Sequence, residues 1–340
     1  MKKQAIAVGF VLFSFMLPTK ASAASFDQLY VFGDSLSDTG NIYNATGKTY
    51  PQSPLYFDGR FSDGPIWVDY LGDQLGLKPT LFTTIPSTPP TQGINFAFGG
   101  ASSGLGNAVV PNPNLPGVLQ QVEDYAGILQ ANHQTADPNA LYTLWGGADD
   151  LLFGNAGDST TPINNISQAL NILAGVGAKN ILVFNLPNLG ELPGNQTSGF
   201  NTTTLSQSTS EFNLGLAETV STLSSQNPNR NIIPVDIYSL FNQASSLGFT
   251  NVTDPCLSSP DCDPATFLFW DGFHPTTAAQ KVIADTALAA IEAKSVPEPT
   301  INLGILALGA FGAIGVLKRQ QKRSASRVVD GKLSYTIVEN

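Results

Sequence analysis

Five short runs in this chain are apolar at nearly every position: "QLYVFGD" (28–34), "GINFAFG" (93–99), "ALYTLWG" (140–146), "NILVFNL" (180–186) and "NIIPVDI" (231–237). A strand with one wet face alternates apolar and polar residues. A strand covered on both faces does not, so these runs predict a parallel sheet sandwiched between helices. The intervals carry helical patterns at 65–76, 116–132, 161–177, 204–225 and 275–294. The last opens on Pro275, which suits the first turn of a helix. Alternation of this kind, closed by right-handed crossovers, predicts an α/β fold, a doubly wound three-layer α/β/α sandwich around a central, mostly parallel five-stranded sheet. The Pro- and Thr-rich stretch 79–92 and the Asn/Pro stretch 107–117 read as surface loops near the carboxyl edge, where either can shape a substrate groove.

Both ends of the chain read as processing and targeting segments. Lys2 and Lys3 precede "AIAVGFVLFSFML", and "ASA" follows at 21–23, which predicts a secretory signal peptide over 1–23. "VPEP" (296–299), an uncharged run "TINLGILALGAFGAIGVL" (300–317) and "KRQQKR" (318–323) follow the last helix. The run is long enough to span a bilayer, and the cations after it predict a cytoplasmic tail over 324–340. This tripartite end resembles the PEP-CTERM sorting signal of exported bacterial proteins. The resemblance implies a membrane sorting protease as partner, cutting near the Pro-Glu-Pro, and a cell-surface or extracellular destination with at least transient anchoring. The tail beyond the basic cluster departs from that pattern, and a plain membrane anchor is the alternative.

Residues 24–295 suffice for one α/β domain. From Ala24 to Leu317 there are 24 Asp and Glu against 7 Lys and Arg, a net charge near −17, which argues against nucleic acid as a partner. Cys256 and Cys262, the two cysteines, are predicted to close a short loop as a disulfide in an exported chain. Their spacing, with no nearby histidine, is poor for zinc, and neither a metal nor a cofactor is expected.

Ser35 follows the first strand run in "VFGDSLSDTG" (31–40), where open α/β sheets place ligands. A turn that merely caps a helix explains this stretch equally well. A serine nucleophile needs a base, and the chain holds two histidines. His133 lies in a polar stretch and reads as solvated. His274 lies in "WDGFHP" before the last helix, with Asp271 three residues earlier. That carboxylate can hold the imidazole Nδ1 while Nε2 takes the serine proton. Asp34 and Asp38 read as turn-setting groups bonded to backbone N–H. "NFAFGG" and "WGGADD" end two further strand runs and offer the amides of Gly99, Gly100, Gly146 and Gly147 to an oxyanion.

With these blocks in place, residues 26–294 resemble the GDSL, or SGNH, hydrolases. The resemblance implies a flavodoxin-like fold without cofactor or metal, and activity on carboxylic esters of lipids, small acyl groups or acylated sugars. It implies Ser35 as nucleophile and oxyanion donor, Gly100 as second donor with Gly99 the alternate, and Asp271 and His274 as the remaining triad. Asp149 departs from the pattern, because it stands where the family places an Asn that donates to the oxyanion. An ionised carboxylate only accepts. Asp149 is therefore held neutral by a dry site, or points away, or marks lost activity. The leading expectation is an exported esterase or lipase-like hydrolase working through an acyl-enzyme. The alternatives are a weakly active or non-catalytic surface or matrix protein that binds acylated polysaccharide, and an acyltransferase with the same triad.

Overall fold

The computed structural model describes residues 25–110 and 114–295. The expected signal peptide (1–23), sorting signal (296–323) and tail (324–340) lie outside the described residues. Among the described residues no helix is long and apolar enough to cross a membrane.

The strands are β1 (Leu29–Gly33), β2 (Thr80–Leu81), β3 (Ile94–Asn95), β4 (Leu141–Trp145), β5 (Asn180–Phe184), β6 (Asn231–Val235), β7 (Asn251–Pro255) and β8 (Phe267–Phe269). The α-helices are α1 (Asn41–Ala45), α2 (Trp67–Leu75), α3 (Val118–Ala131), α4 (Thr160–Val176), α5 (Asn195–Ser198), α6 (Thr202–Gln226), α7 (Ile237–Asn242) and α8 (Thr277–Ser295). The main sheet has six strands rather than five, in the order β2-β3-β1-β4-β5-β6, and every neighbouring pair is parallel. The sixth strand is β2, inside the stretch 79–92 that reads as a loop. Its two residues are too few to show any pattern. β7 and β8 form a separate parallel pair; β7 is partly exposed and β8, though buried, has only three residues, so no long apolar run announces the pair.

β3 is shorter than its apolar run. Phe96 and Phe98 still donate to the carbonyls of Val31 and Gly33 in β1. The Asn95 side chain, however, takes the Ala97 N–H, and the regular ladder stops there. Helix α8 begins at Thr277, so Pro275 lies before the helix rather than in its first turn. Thr276 Oγ1 receives the Ala279 N–H and acts as the cap.

From β1 the chain runs through α2 outward to β3, then returns through α3 past β1 to β4. Right-handed crossovers in opposite directions place α2 and α3 on opposite faces. α2 packs with α8 in one layer, and α3, α4 and α6 pack in a row in the other. Trp67 of α2 meets Trp145 and Phe184 on the first face. Tyr125 of α3 meets Tyr30, Phe32, Phe96 and Tyr142 on the second. The connections leaving adjacent β1 and β4 therefore diverge to opposite faces. Between the carboxyl ends of such strands an α/β sheet opens a crevice.

Candidate active site

The loop after β1 is built by carboxylates and a close contact. Gly33 ends the strand because a Cβ there would lie 2.8 Å from both Ser37 Oγ and the Trp145 carbonyl oxygen. The buried Gln121 of α3 receives the Gly33 N–H at 2.9 Å and donates back to the Gly33 carbonyl at 2.9 Å. Asp34 Oδ1 accepts the Leu36 N–H. Asp38 accepts four amides, those of Gly40, Asn41, Ile42 and Gly99. The last of these bonds ties the β1 loop to the β3 loop. Burial pushes the Asp38 carboxyl up to about 6 against these four donors, so it is ionised at neutral pH.

Ser35, buried at the head of this loop, has its Oγ 2.8 Å from His274 Nε2. His274 Nδ1 lies 2.8 and 2.9 Å from the two Asp271 carboxylate oxygens. Asp271 Oδ1 also accepts the N–H groups of Phe273 and His274, at 2.8 Å each, which folds "DGFH" into the turn that aims the imidazole. Tyr56 donates its hydroxyl to Asp271 Oδ2 at 2.7 Å. Burial works to raise the Asp271 carboxyl, but the charge and hydrogen bond of His274, the Phe273 N–H and the Tyr56 hydroxyl hold it at about 2.

Gly100 has φ +75, where a side chain is strained, and a Cβ would meet Asn107 Oδ1 at 2.7 Å. Among the described residues neither the Ser35 N–H nor the Gly100 N–H donates to a protein acceptor. The Gly99 N–H is committed to Asp38, which separates the two candidate glycines. Asp149, four residues beyond β4, lines the same cavity as Ser35 and Gly100. It is 6% exposed, and its Oδ2 is buried without a hydrogen-bond partner. Burial, then the neighbouring charges of Asp34 and Asp150, push its carboxyl well above the usual range. Asp150 turns away and accepts the amide and hydroxyl of Ser103.

The cavity over these groups has a volume of about 600 Å³. Tyr50, Tyr56 and Phe61 line it on one side, and Leu152, Phe153, Leu189 and Leu192 on another. Val109 of the stretch 107–117 lines it, whereas 79–92 contributes nothing to it and lines another depression. Arg60, close to Ser35 in sequence, is bonded to Asp69 and lines a separate depression instead. His133 is exposed in the turn after α3 and does not line the cavity. Cys256 and Cys262 form the expected disulfide, across the loop between β7 and β8. The bonds of Gln121 to Gly33, of Asn95 Nδ2 to the Ser37 carbonyl and of the Tyr56 hydroxyl to Asp271 are not read from the sequence. A polar Asn inside the run "GINFAFG" is the one signal of the three, since a buried amide must find partners.

Comparison with known proteins places these observations in context. Residues 29–287 match the model of the GDSL-like lipase/acylhydrolase family, and residues 295–320 match the PEP-CTERM protein-sorting motif. An uncharacterized Pseudomonas putida protein is 31% identical over 80% of this chain and 50% of its own length. A phosphatidylcholine-sterol acyltransferase of Aeromonas hydrophila is 34% identical over 51% of this chain and 48% of its own. The thermolabile hemolysin of Vibrio parahaemolyticus is 29% identical over 77% of this chain and 63% of its own. The chain thus spans about half the length of the first two relatives and somewhat more of the third. A solved GDSL-like lipase structure from Parabacteroides merdae has 15% identity and a TM-score of 0.45, covering 78% of this chain and 96% of that one.

Proposed function

Taking as premise that the chain belongs to the GDSL-like lipase/acylhydrolase family, as the match over residues 29–287 shows, we propose that it is an exported serine hydrolase of carboxylic esters. The observation that carries this reading is the unbroken hydrogen-bond line from Ser35 Oγ through His274 to Asp271, opening on an apolar-walled cavity.

In the proposed mechanism Ser35 Oγ attacks the ester carbonyl while His274 Nε2 takes its proton. Asp271, ionised far below neutral pH, stabilises the imidazolium and fixes its tautomer. The developing oxyanion is received by the Ser35 and Gly100 N–H groups and by the neutral carboxyl of Asp149. His274 then protonates the leaving alkoxide and the acyl-enzyme forms on Ser35. Water, deprotonated by His274, attacks the acyl carbon, and the tetrahedral intermediate collapses to release the acid and restore the Ser35 hydroxyl. An alcohol in place of that water would give acyl transfer, the reaction named for the Aeromonas relative. The sorting motif supports export, with 300–317 as a transient anchor and a cut near 296–299.

A fluorophosphonate probe tests this reading without a known substrate. Ser35 should be captured covalently, and His274→Ala should lose the capture. Wild-type protein that is folded yet unlabelled at Ser35 refutes the hydrolase reading and leaves the polysaccharide-binding alternative.

A further inference from the structure

The segment from Tyr56 to Asp63 runs along the turn that carries Asp271 and His274 and touches it at four successive points. Tyr56 donates to Asp271 Oδ2 at 2.7 Å. The Phe61 ring lies 4.9 Å from the imidazole, tilted by 30°. Ser62 Oγ donates to the Pro275 carbonyl at 2.9 Å, and the Thr277 N–H donates to Asp63 Oδ1 at 2.7 Å. These contacts join residues more than 200 positions apart in the chain, so they are tertiary features rather than consequences of a local turn.

We propose that residues 56–63 form a positioning strap for the catalytic pair, with Tyr56 as the positioning residue that fixes the Asp271 carboxylate and moderates its pull on the imidazole. The inference rests on the triad reading above and adds a residue to it. Asp271 Oδ1 receives two amides and shares the imidazole, while Oδ2 has the imidazole and the Tyr56 hydroxyl. Burial, and then the Asp271 charge, push the Tyr56 hydroxyl above its ordinary value, so it remains a donor throughout the working range. Its donation stabilises negative charge on Oδ2. Without it the carboxylate becomes a stronger base, holds the Nδ1 proton more strongly and favours the imidazolium. Phe61 covers one side of the imidazole and limits its swing away from Ser35.

The other groups that bear on this pair are Asp34 from the β1 loop, which acts on His274, and Tyr50 from the cavity wall, which faces Asp271 and Asp149. Tyr50 also acts on the Tyr56 hydroxyl. Tyr56→Phe removes one oxygen from a half-buried side chain and leaves the Asp34 and Tyr50 side chains in place. The chain has two histidines, so an imidazole ¹⁵N titration of the full-length protein gives two pairs of ring-nitrogen resonances, assigned by a His133→Gln variant.

In Tyr56→Phe the titration midpoint of His274 should rise by about 0.5–1 pH unit, the size expected for one lost charge-assisted bond. The acid limb of kcat/KM on p-nitrophenyl butyrate should rise with it. Tyr56→Leu should move the midpoint the same way, and Ser62→Ala, which leaves the hydroxyl on Asp271, should not move it. A merely structural Tyr56 would lower kcat or stability and leave the midpoint where it is. A midpoint unchanged or lowered in both Tyr56 variants overturns the proposal. Because the titration needs no turnover, it is read even if Ser35 resists the probe. Failure of the strap and failure of the hydrolase reading are thereby separate results.

Discussion

Asp149 sets the sign of the pH dependence at the residue scale. Its carboxyl is buried, its Oδ2 has no partner, and burial with Asp34 and Asp150 nearby raises its titration well above the ordinary carboxyl range. In the proposed mechanism it is, below that raised value, a neutral O–H donor to the oxyanion alongside the Ser35 and Gly100 amides. Above it the group is an anion facing the oxyanion, which costs transition-state stabilisation. Activity should therefore fall as pH rises through the Asp149 transition, and Asp149→Asn should remove the fall while keeping a donor. Asp149→Ala should lose roughly 10²–10³ in kcat below the transition, the usual worth of one oxyanion donor, and the loss should vanish above it, where the wild type no longer donates. A pH–rate profile measured on the three proteins decides it; coincident wild-type and Asn curves on the alkaline side would exclude the neutral-donor role. Ser35, Asp271 and His274 were readable as a set because a serine, an Asp-x-x-His and few histidines leave little choice. Tyr56 was not, because its partner lies 215 residues away and an aromatic in a loop looks the same whether it packs or donates.

The element that aims Ser35 is β1, and its end is pinned by a helix from elsewhere in the chain. Gln121 of α3 holds both backbone groups of Gly33, 88 residues distant, while Phe98 supplies a second donor to the Gly33 carbonyl. Gln121→Leu leaves that carbonyl a partner but strips the Gly33 N–H of its acceptor. A buried amide in that state costs about 1–3 kcal/mol. Urea unfolding of Gln121→Leu should show a loss of that size, together with a lower kcat, since Ser35 sits two residues beyond the loosened amide. Unchanged stability would mean that water or the ladder satisfies the amide. The same element shows why some of the fold was legible and some was not. β1, β4, β5 and β6 are apolar on both faces and announce themselves. β3 announces itself as an apolar run but is cut short by the Asn95 side chain, whereas β2 has two residues and β7 is partly exposed, so neither of these leaves a periodic trace. A helix start moved by two residues at Pro275 reflects a cap contest that Thr276 wins through its hydroxyl.

Across the whole molecule, charge and cavity act together on substrate choice. The segment 24–317 carries a net charge near −17, and the cavity of the domain is lined by Asp34, Asp149 and the ionised Asp271 as well as by Leu, Phe and Tyr side chains. Such a field repels anionic substrates over a range of about one Debye length, roughly 10 Å at 0.1 M salt, and leaves neutral esters untouched. A neutral p-nitrophenyl ester and an anionic ester of matched acyl length should therefore differ in kcat/KM at low ionic strength, the anion being slower. Raising salt from about 0.01 to 0.5 M, which shortens the screening length several-fold, should narrow that gap and leave the neutral rate nearly constant. The cavity walls make a second, salt-independent demand. Butyrate places more apolar surface against Leu152, Leu189 and Leu192 than acetate does, and each added methylene buried there contributes about 0.8 kcal/mol. The butyrate preference should thus persist at every ionic strength, while the penalty on negative charge fades. If the acyl preference faded with salt and the charge penalty did not, the cavity would be recognising substrate by some means other than its apolar walls.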